Sequence, residues 1–275
     1  MAETQQVPPG IDPSKPSVAR IYDNLLGGVN NFVADRAAAD LMRSRAPELV
    51  DAAFANRGFH QRAAKWIAEQ GVRQFVDLGS GLPTVGNTHE VVRKVHPDAR
   101  VVYVDIDPMV RLHSERLLAG DEGVAVVVAD LKQPDAVLDS EAVRALIDFR
   151  EPAAVMMTAV LHFVSHAEDP AGIVARYSSP LQAGSYLALS HTTGDQKPPQ
   201  AVEAMNEAGR RSAGGNYLRS RDQVRELFGT LEIVSPYEGA PPDVTWVGLW
   251  GCEDPTVADS EGSRWLYCAV AAKRG

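Results

Sequence analysis

The sequence predicts a doubly wound α/β fold, a mainly parallel sheet with helices on both faces. Two observations carry that expectation. Five short apolar runs, at 75–78, 101–105, 124–128, 154–157 and 185–189, are rich in β-branched residues and suit strands buried on both faces. Helix-like segments alternate with them at the spacing of βαβ units. Right-handed crossovers then bring the C-terminal ends of the parallel strands to one edge. In open α/β sheets the ligand crevice lies along that edge, where the strand order reverses.

The elements follow in order. Residues 1–16 hold Pro8, Pro9, Pro13 and Pro16 among few apolar side chains, which predicts a flexible N-terminal arm. From 17 to 70, Ala, Leu, Arg and Glu dominate, with breaks at Gly27-Gly28 and Pro47. That stretch predicts a helical cap of about three helices, near 17–25, 34–44 and 47–69. The strands and their crossovers occupy 71–275, the expected ligand-binding domain. Asn87 with Glu90, Ser165 with Glu168 and Ser220 with Gln223 each have the spacing of a capping box at a helix start. The tail differs. Runs at 231–235 and 265–272 read as strands, joined by a link rich in Pro, Gly and Asp. A closing antiparallel pair fits them better than another crossover.

Composition narrows the function. The chain has 275 residues, 45% hydrophobic and 23% charged, enough for a sizeable core without disulfides or metal. Its net charge of -9 argues against sequence-independent nucleic-acid binding, which needs a basic surface. Two cysteines, Cys252 and Cys268, are too few for a disulfide scaffold or a zinc site. No run approaches the roughly 18 apolar residues of a membrane span, and the first 15 residues lack the apolar core of a secretory signal. The expectation is a reduced cytoplasmic protein acting on a small molecule.

The stretch Val76-Asp77-Leu78-Gly79-Ser80-Gly81 is the most informative. Glycines directly after a strand let a ligand approach the backbone, because no Cβ is in the way. A dinucleotide would require G-x-G-x-x-G, but Thr84 stands where the third glycine belongs. Asp77, two residues before the first glycine, would also repel a pyrophosphate. An NAD(P)-dependent oxidoreductase is therefore the weaker reading. S-adenosylmethionine has no phosphate, but it carries an α-ammonium group and a sulfonium, which make Asp77 an asset. Asp105 ends the second strand, and a carboxylate there can accept two hydrogen bonds from a ribose diol. Asp130, after the third, can accept from an adenine amino group. Ile106 and Leu131 follow those two carboxylates, placed to sandwich the adenine ring.

The pattern D-x-G-x-G resembles the first motif of class I S-adenosylmethionine-dependent methyltransferases, and Asp77, Asp105 and Asp130 stand at the positions that family uses. A closer resemblance, over nearly the whole chain beyond the arm, is to the DUF574 family of bacterial proteins. It rests on Arg20-Ile21-Tyr22-Asp23-Asn24-Leu25-Leu26-Gly27-Gly28, on Asn31-Phe32-Val33-Ala34-Asp35-Arg36, on the run from Phe75 through Thr84, and on Val102-Tyr103-Val104-Asp105-Ile106-Asp107-Pro108. Asn24 and Asn30 depart from the pattern, which usually has Tyr and Asp there. The resemblance implies a seven-stranded sheet in the order 3-2-1-4-5-7-6 and a methyltransferase of unidentified acceptor. A non-catalytic sensor of S-adenosylmethionine or S-adenosylhomocysteine is the alternative from another functional class.

Further candidates lie at the same edge. After the fourth strand, the backbone at Thr158 and Ala159 would face the methionine part of the cofactor. The run Val160-Leu161-His162 resembles a segment of small-molecule O-methyltransferases. His162 and, after the fifth strand, His191 are the candidate general bases, because an imidazole titrates near neutrality. His60, His89, His96, His113 and His166 read as surface or cap residues. Residues 22–32 read as a lid, with Gly27-Gly28 as hinge and Tyr22 and Asn31 as hydrogen-bonding groups over the cofactor. Arg20 could meet a carboxylate of cofactor or substrate. Met205, Asn206, Arg210, Arg211 and Tyr217 could line a substrate pocket, and Trp246 and Trp250 could wall it.

Overall fold

In the computed structural model of the protein, residue 7 and residues 11–83, 86–117, 120–211 and 215–275 are described, those at 114–117, 204 and 208–211 without their side chains. Thr84, most of the N-terminal arm and the side chains of Arg210 and Arg211 lie outside the described residues.

Three helices come first, α1 (Val18–Leu25), α2 (Val33–Arg45) and α3 (Leu49–Glu69). Strand β1 (Gln74–Leu78) and helix α4 (Thr88–Val92) follow, then β2 (Arg100–Asp105), α5 (Pro108–Leu117) and β3 (Val124–Val128). Next are α6 (Pro134–Leu138), α7 (Glu141–Leu146), β4 (Ala154–Thr158), α8 (Pro170–Ser178) and β5 (Tyr186–Thr192). The chain ends with α9 (Pro199–Arg211), α10 (Arg221–Glu226), β6 (Glu232–Ile233), β7 (Thr245–Trp246), α11 (Pro255–Ala258) and β8 (Leu266–Ala272). The expected capping boxes form at Asn87/Glu90, Ser165/Glu168 and Ser220/Gln223. Pro134 and Pro170 each open a helix, where a missing N–H costs no bond.

The strands order as β3-β2-β1-β4-β5-β8-β6. β1 to β5 run parallel, while β8 runs antiparallel between β5 and β6. The expected order thus holds for seven strands, with one addition. The Pro- and Gly-rich link contains an eighth, two-residue strand, β7, which pairs Thr245 with Cys268 and Trp246 with Tyr267. Trp246 stacks on Tyr267 with ring centroids 4.0 Å apart, which fixes this short edge to β8.

Alternation along the strands divides the core between the two faces of the sheet. Val76, Leu78, Val102 and Val104 pack on one face with Val137, Val143, Val174, Tyr177 and Val224 from α6, α7, α8 and α10. Phe75, Val101 and Tyr103 pack on the other with Phe59, Ala63 and Ile67 of α3 and with Val91 of α4. Each buried side chain of that size contributes roughly 1.5–3 kcal/mol. Helix α3 therefore belongs to a layer of the sheet as well as to the N-terminal helices. Helices α1 and α2 rest on it through Ile21, Leu25, Ala39 and Ala53. Phe32, between α1 and α2, packs on Leu82, Met109 and Val110 and so lies over the loop after β1 and the start of α5.

Candidate functional site

The C-terminal ends of β3, β2, β1 and β4 lie side by side, because those strands are neighbours in the sheet. Gly79 and Gly81 follow β1 with φ of +68° and +66°, in the left-handed region that favours glycine. A Cβ on Gly79 would lie 2.2 Å from Val160 beyond β4, so the turn after β1 presses against that strand end. A Cβ on Gly81 would meet nothing within 4 Å, which leaves open space above the turn. Ser80 Oγ is buried there with no hydrogen-bond partner.

Asp105 faces the same turn. Its Oδ2 accepts from Gly81 N at 2.9 Å and its Oδ1 from Asp107 N at 2.9 Å. Burial pushes its pKa up. Ile106 beside it is 65% exposed, an apolar side chain with a free face at a strand end. Asp130 accepts from Lys132 N at 2.9 Å, the local turn that a helix cap would also make, and Lys132 Nζ stands 3.8 Å away. Leu131 is partly buried, and its carbonyl accepts from Tyr177 Oη at 3.0 Å.

Asp77 is buried and bonds a side chain. Thr88 Oγ1, at the start of α4, donates to its Oδ2 at 2.6 Å. The unexpected member of this group is His60 of α3, which is buried, not at the surface. Its Nε2 lies 2.8 Å from Thr88 Oγ1 and its Nδ1 lies 2.9 Å from Thr158 Oγ1. With Asp77 ionised, the Thr88 hydroxyl proton is directed to the carboxylate. His60 Nε2–H then donates to Thr88, and Nδ1 accepts from the Thr158 hydroxyl. Burial and the neighbouring Arg57 push the His60 pKa down to about 3, so the ring is neutral. Its 3.7 Å approach to Asp77 is therefore not an ion pair. Burial raises the Asp77 pKa to about 6, against the opposing effects of the Thr88 hydrogen bond and Arg57. Arg57 donates to Gly86 O and Asn87 Oδ1, both at 3.1 Å, and its buried Nε has no partner. Sequence reasoning missed this cluster, although Asn56 and His60 stand four residues apart on an Ala-rich buried helix face, a visible break in apolar patterning.

At the end of β4, Ala159 has φ of +52°, uncommon for a residue with a side chain. Its N–H donates to Ser190 O and lies 2.9 Å from Ser190 Oγ, which fixes the loop to β5. Ser190 Oγ in turn donates to Asn56 Oδ1, and Asn56 Nδ2 donates to Tyr22 Oη at 2.9 Å. Tyr22 Oη donates to Ala53 O at 3.0 Å. The Tyr22 hydroxyl, expected over the cofactor, is thus engaged with α3 at both its donor and an acceptor position.

The two candidate bases differ. His191 is fully buried. Its Nδ1 lies 2.8 Å from Thr192 O, a carbonyl that only accepts, so the proton is on Nδ1. Arg219 Nη1 donates to its Nε2 at 2.6 Å. Burial pushes its pKa down to about 3, and a proton on Nε2 would face a guanidinium. Both ring nitrogens of His191, the second candidate base, are therefore engaged within the chain. His162 is also buried, and its pKa lies well below the usual imidazole value through burial, His191 and Arg219. Its Nδ1 has no partner.

Beyond β5 a pocket of about 400 Å³ opens between α9 and the segment leading to α10. Asn206 and Tyr217 line it, as the sequence suggested. Met205 packs in the core instead. Asp195, Asn216 and Arg219 also line it and were not anticipated. Trp250 is buried against Phe59 and Trp66 of α3, and Trp246 lies on Tyr267. Both cover the sheet.

The N-terminal motif is internally bonded. Arg20 pairs with Asp35 at 2.8 Å and reaches Asp107 at 3.4 Å, so its carboxylates come from this chain. Asp35 also accepts from Ser17 N and Phe32 N. Asp23 accepts from Asn30 N and Asn31 Nδ2, both at 2.9 Å.

Comparison with known proteins gives the family and the fold. Residues 4–274 match the family described as S-adenosyl methyltransferase. A crystal structure of a candidate methyltransferase from Thermobifida fusca YX is 40% identical, with a TM-score of 0.91 over 99% of this chain and 100% of that one. A DUF574 family protein from Streptomyces avermitilis MA-4680 is 37% identical, with a TM-score of 0.87 over 95% of this chain and 99% of the other. Among curated proteins none matches. The chain belongs to the S-adenosyl methyltransferase family, has its class I fold and is an S-adenosylmethionine-dependent enzyme.

Proposed function

For this member of the S-adenosyl methyltransferase family, we propose methyl transfer to an oxygen or nitrogen of a small-molecule acceptor, with the cofactor lying along the ends of β1 to β4. One observation supports the placement: Asp77, Asp105 and Asp130 sit at or just beyond the ends of three adjacent strands, and Asp105 accepts from Gly81 N at the open turn after β1. When bound, S-adenosylmethionine supplies a methyl group on a sulfonium that is already a good leaving group.

The residues present fit that cofactor. Gly79, Ser80 and Gly81 form the cradle, with the unpartnered Ser80 Oγ available to it. Asp77 answers the α-ammonium and Arg57, with its free Nε, the carboxylate. Asp105 takes the ribose diol and Asp130 the adenine amino group, while the exposed Ile106 and the partly buried Leu131 hold the ring. The backbone at Thr158 and Ala159 flanks the methionine chain. His60 positions Asp77 and Thr158 together. The acceptor occupies the pocket beyond β5, and positioning it against the methyl group is the protein's main contribution. His162 is the candidate base, because its Nδ1 is uncommitted. Its depressed pKa suits an acceptor that loses its proton easily.

The functional division is an arm at 1–16, a helical cap at 17–70 and a cofactor-binding domain at 71–275. Both cysteines are free, which suits a reducing cytoplasm. Among the described residues no helix is long and apolar enough to cross a membrane. The test is calorimetric titration with S-adenosylmethionine, S-adenosylhomocysteine and NADH. Micromolar binding of the first two and none of NADH is expected. Binding of NADH alone would overturn the cofactor placement.

A further inference from the structure

Arg219 is 2% exposed, yet its named partners are all neutral. Nη1 donates to Leu161 O at 3.2 Å and to His191 Nε2 at 2.6 Å, and Nη2 donates to Val164 O at 2.8 Å. Those bonds use three of the five N–H donors of a guanidinium. Among the described residues no carboxylate pairs with it, and burial alone pushes its pKa down. The other deeply buried arginine, Arg20, has two aspartates. A buried cation without an anion is costly, and the group stays protonated because arginine cannot relieve the cost by losing its proton.

Arg219 lines the pocket beyond β5, and so does Asn216. Asn216 Oδ1 accepts from Thr192 Oγ1 at 3.3 Å, while its Nδ2 is buried with no partner. The wall therefore offers donors from two side chains, and among the described residues no carboxylate of the wall pairs with either. Val202 and Leu218 add apolar surface, and Tyr217 is 37% exposed at the same pocket. Asp195 is the opposing charge, with its Oδ2 accepting from Arg221 N at 3.0 Å. One guanidinium beside one carboxylate favours a ligand with a single negative charge over a dianion.

We propose that this pocket binds the carboxylate of a monoanionic organic acid, the methyl acceptor, with Asn216 and Arg219 as its donors. A planar carboxylate matches the guanidinium fork, and its second oxygen can accept from Asn216. The apolar wall takes the body of the acid. The proposal rests on the reading of this pocket as the acceptor site.

The test uses sodium benzoate and neutral benzamide as probes, titrated into the full chain with and without saturating S-adenosylhomocysteine. Chemical shifts of the Asn216 side-chain amide and Arg219 Nε–H report occupancy. Benzoate is expected to shift both signals saturably and to bind at least tenfold more tightly than benzamide. Asn216→Asp, which leaves the Arg219 bonds to carbonyls in place, should weaken benzoate at least tenfold. It should leave S-adenosylhomocysteine affinity within twofold. Equal response to benzoate and benzamide, no response to either, or full benzoate affinity in Asn216→Asp would overturn the proposal. If S-adenosylhomocysteine fails to bind while benzoate still shifts Asn216, the anion site stands but its assignment to a methyl acceptor falls.

Discussion

Two regions of this molecule are dense in polar side chains, and they differ in what those side chains have left to do. In the N-terminal motif, Arg20, Asp23, Asn31 and Asp35 bond one another and nearby backbone. Ser80 Oγ, Arg57 Nε, His162 Nδ1 and Asn216 Nδ2 are buried without partners, as are Ser178 Oγ, Trp250 Nε1 and Trp265 Nε1 elsewhere in the fold. Buried polar groups are ordinarily satisfied, so those beside an open turn or a pocket suit a ligand. On the proposed function, the motif with more recognisable residues serves as scaffold and the strand edge with unsatisfied groups holds the cofactor.

The largest effect that sharpens this contrast is on stability. Asp35→Ala leaves the buried Arg20 short of its nearer anion and removes acceptors from Ser17 N and Phe32 N. Breaking a buried pair this way costs about 3–5 kcal/mol. Urea denaturation should show that loss. A loss under about 1 kcal/mol would mean the N-terminal network is not the scaffold described.

Asp77 gives the second test, and its two signs oppose each other. Its folded pKa of about 6 is raised above the ordinary carboxylate value by burial. The folded state therefore holds its proton more tightly, and the contribution to stability falls as pH rises through about 6. Cofactor binding runs the other way, because the α-ammonium needs the ionised carboxylate. Affinity for S-adenosylhomocysteine should fall about tenfold between pH 7 and pH 5, about 1.4 kcal/mol. Asp77→Asn should bind weakly with a flat profile over that range, and should be more stable than the parent at pH 8 by up to about 3 kcal/mol. A parent profile as flat as the variant's would sink the assignment of Asp77 to the ammonium.

The smallest effect is at Tyr22. Tyr22→Phe removes the bond to Ala53 O and the acceptor of Asn56. About 1 kcal/mol of stability should be lost. Cofactor affinity should stay within twofold, since the hydroxyl is engaged inside the scaffold.

The same contrast explains what the sequence made legible. The strands of the parallel sheet could be read because five apolar runs bounded by turns report burial on two faces. The turn after β1 could be read because Asp77, Gly79, Ser80 and Gly81 fall within five residues, and Asp105 and Asp130 stand at or just beyond recognisable strand ends. Strand β7 was hidden because two residues in a Pro- and Gly-rich link carry no period, and only pairing with β8 makes them a strand. The His60 cluster was hidden because its members come from α3, β1, α4 and β4. Arg219 reads as an ordinary charged residue before α10, and only its three-dimensional surroundings show that no carboxylate among the described residues pairs with it. The bonding of the N-terminal motif was equally hidden. Its packed Arg, Asp and Asn suggest a lid with free hydrogen-bonding groups, whereas those groups satisfy one another.

The most direct measurement is calorimetric titration of S-adenosylhomocysteine into the parent protein, Asp105→Ala and Tyr22→Phe in parallel. The account predicts at least tenfold weaker binding for Asp105→Ala, a loss of about 1.4 kcal/mol, and a change within twofold for Tyr22→Phe. Parent-like binding by Asp105→Ala, or an equal loss in Tyr22→Phe, would contradict the division between scaffold and site.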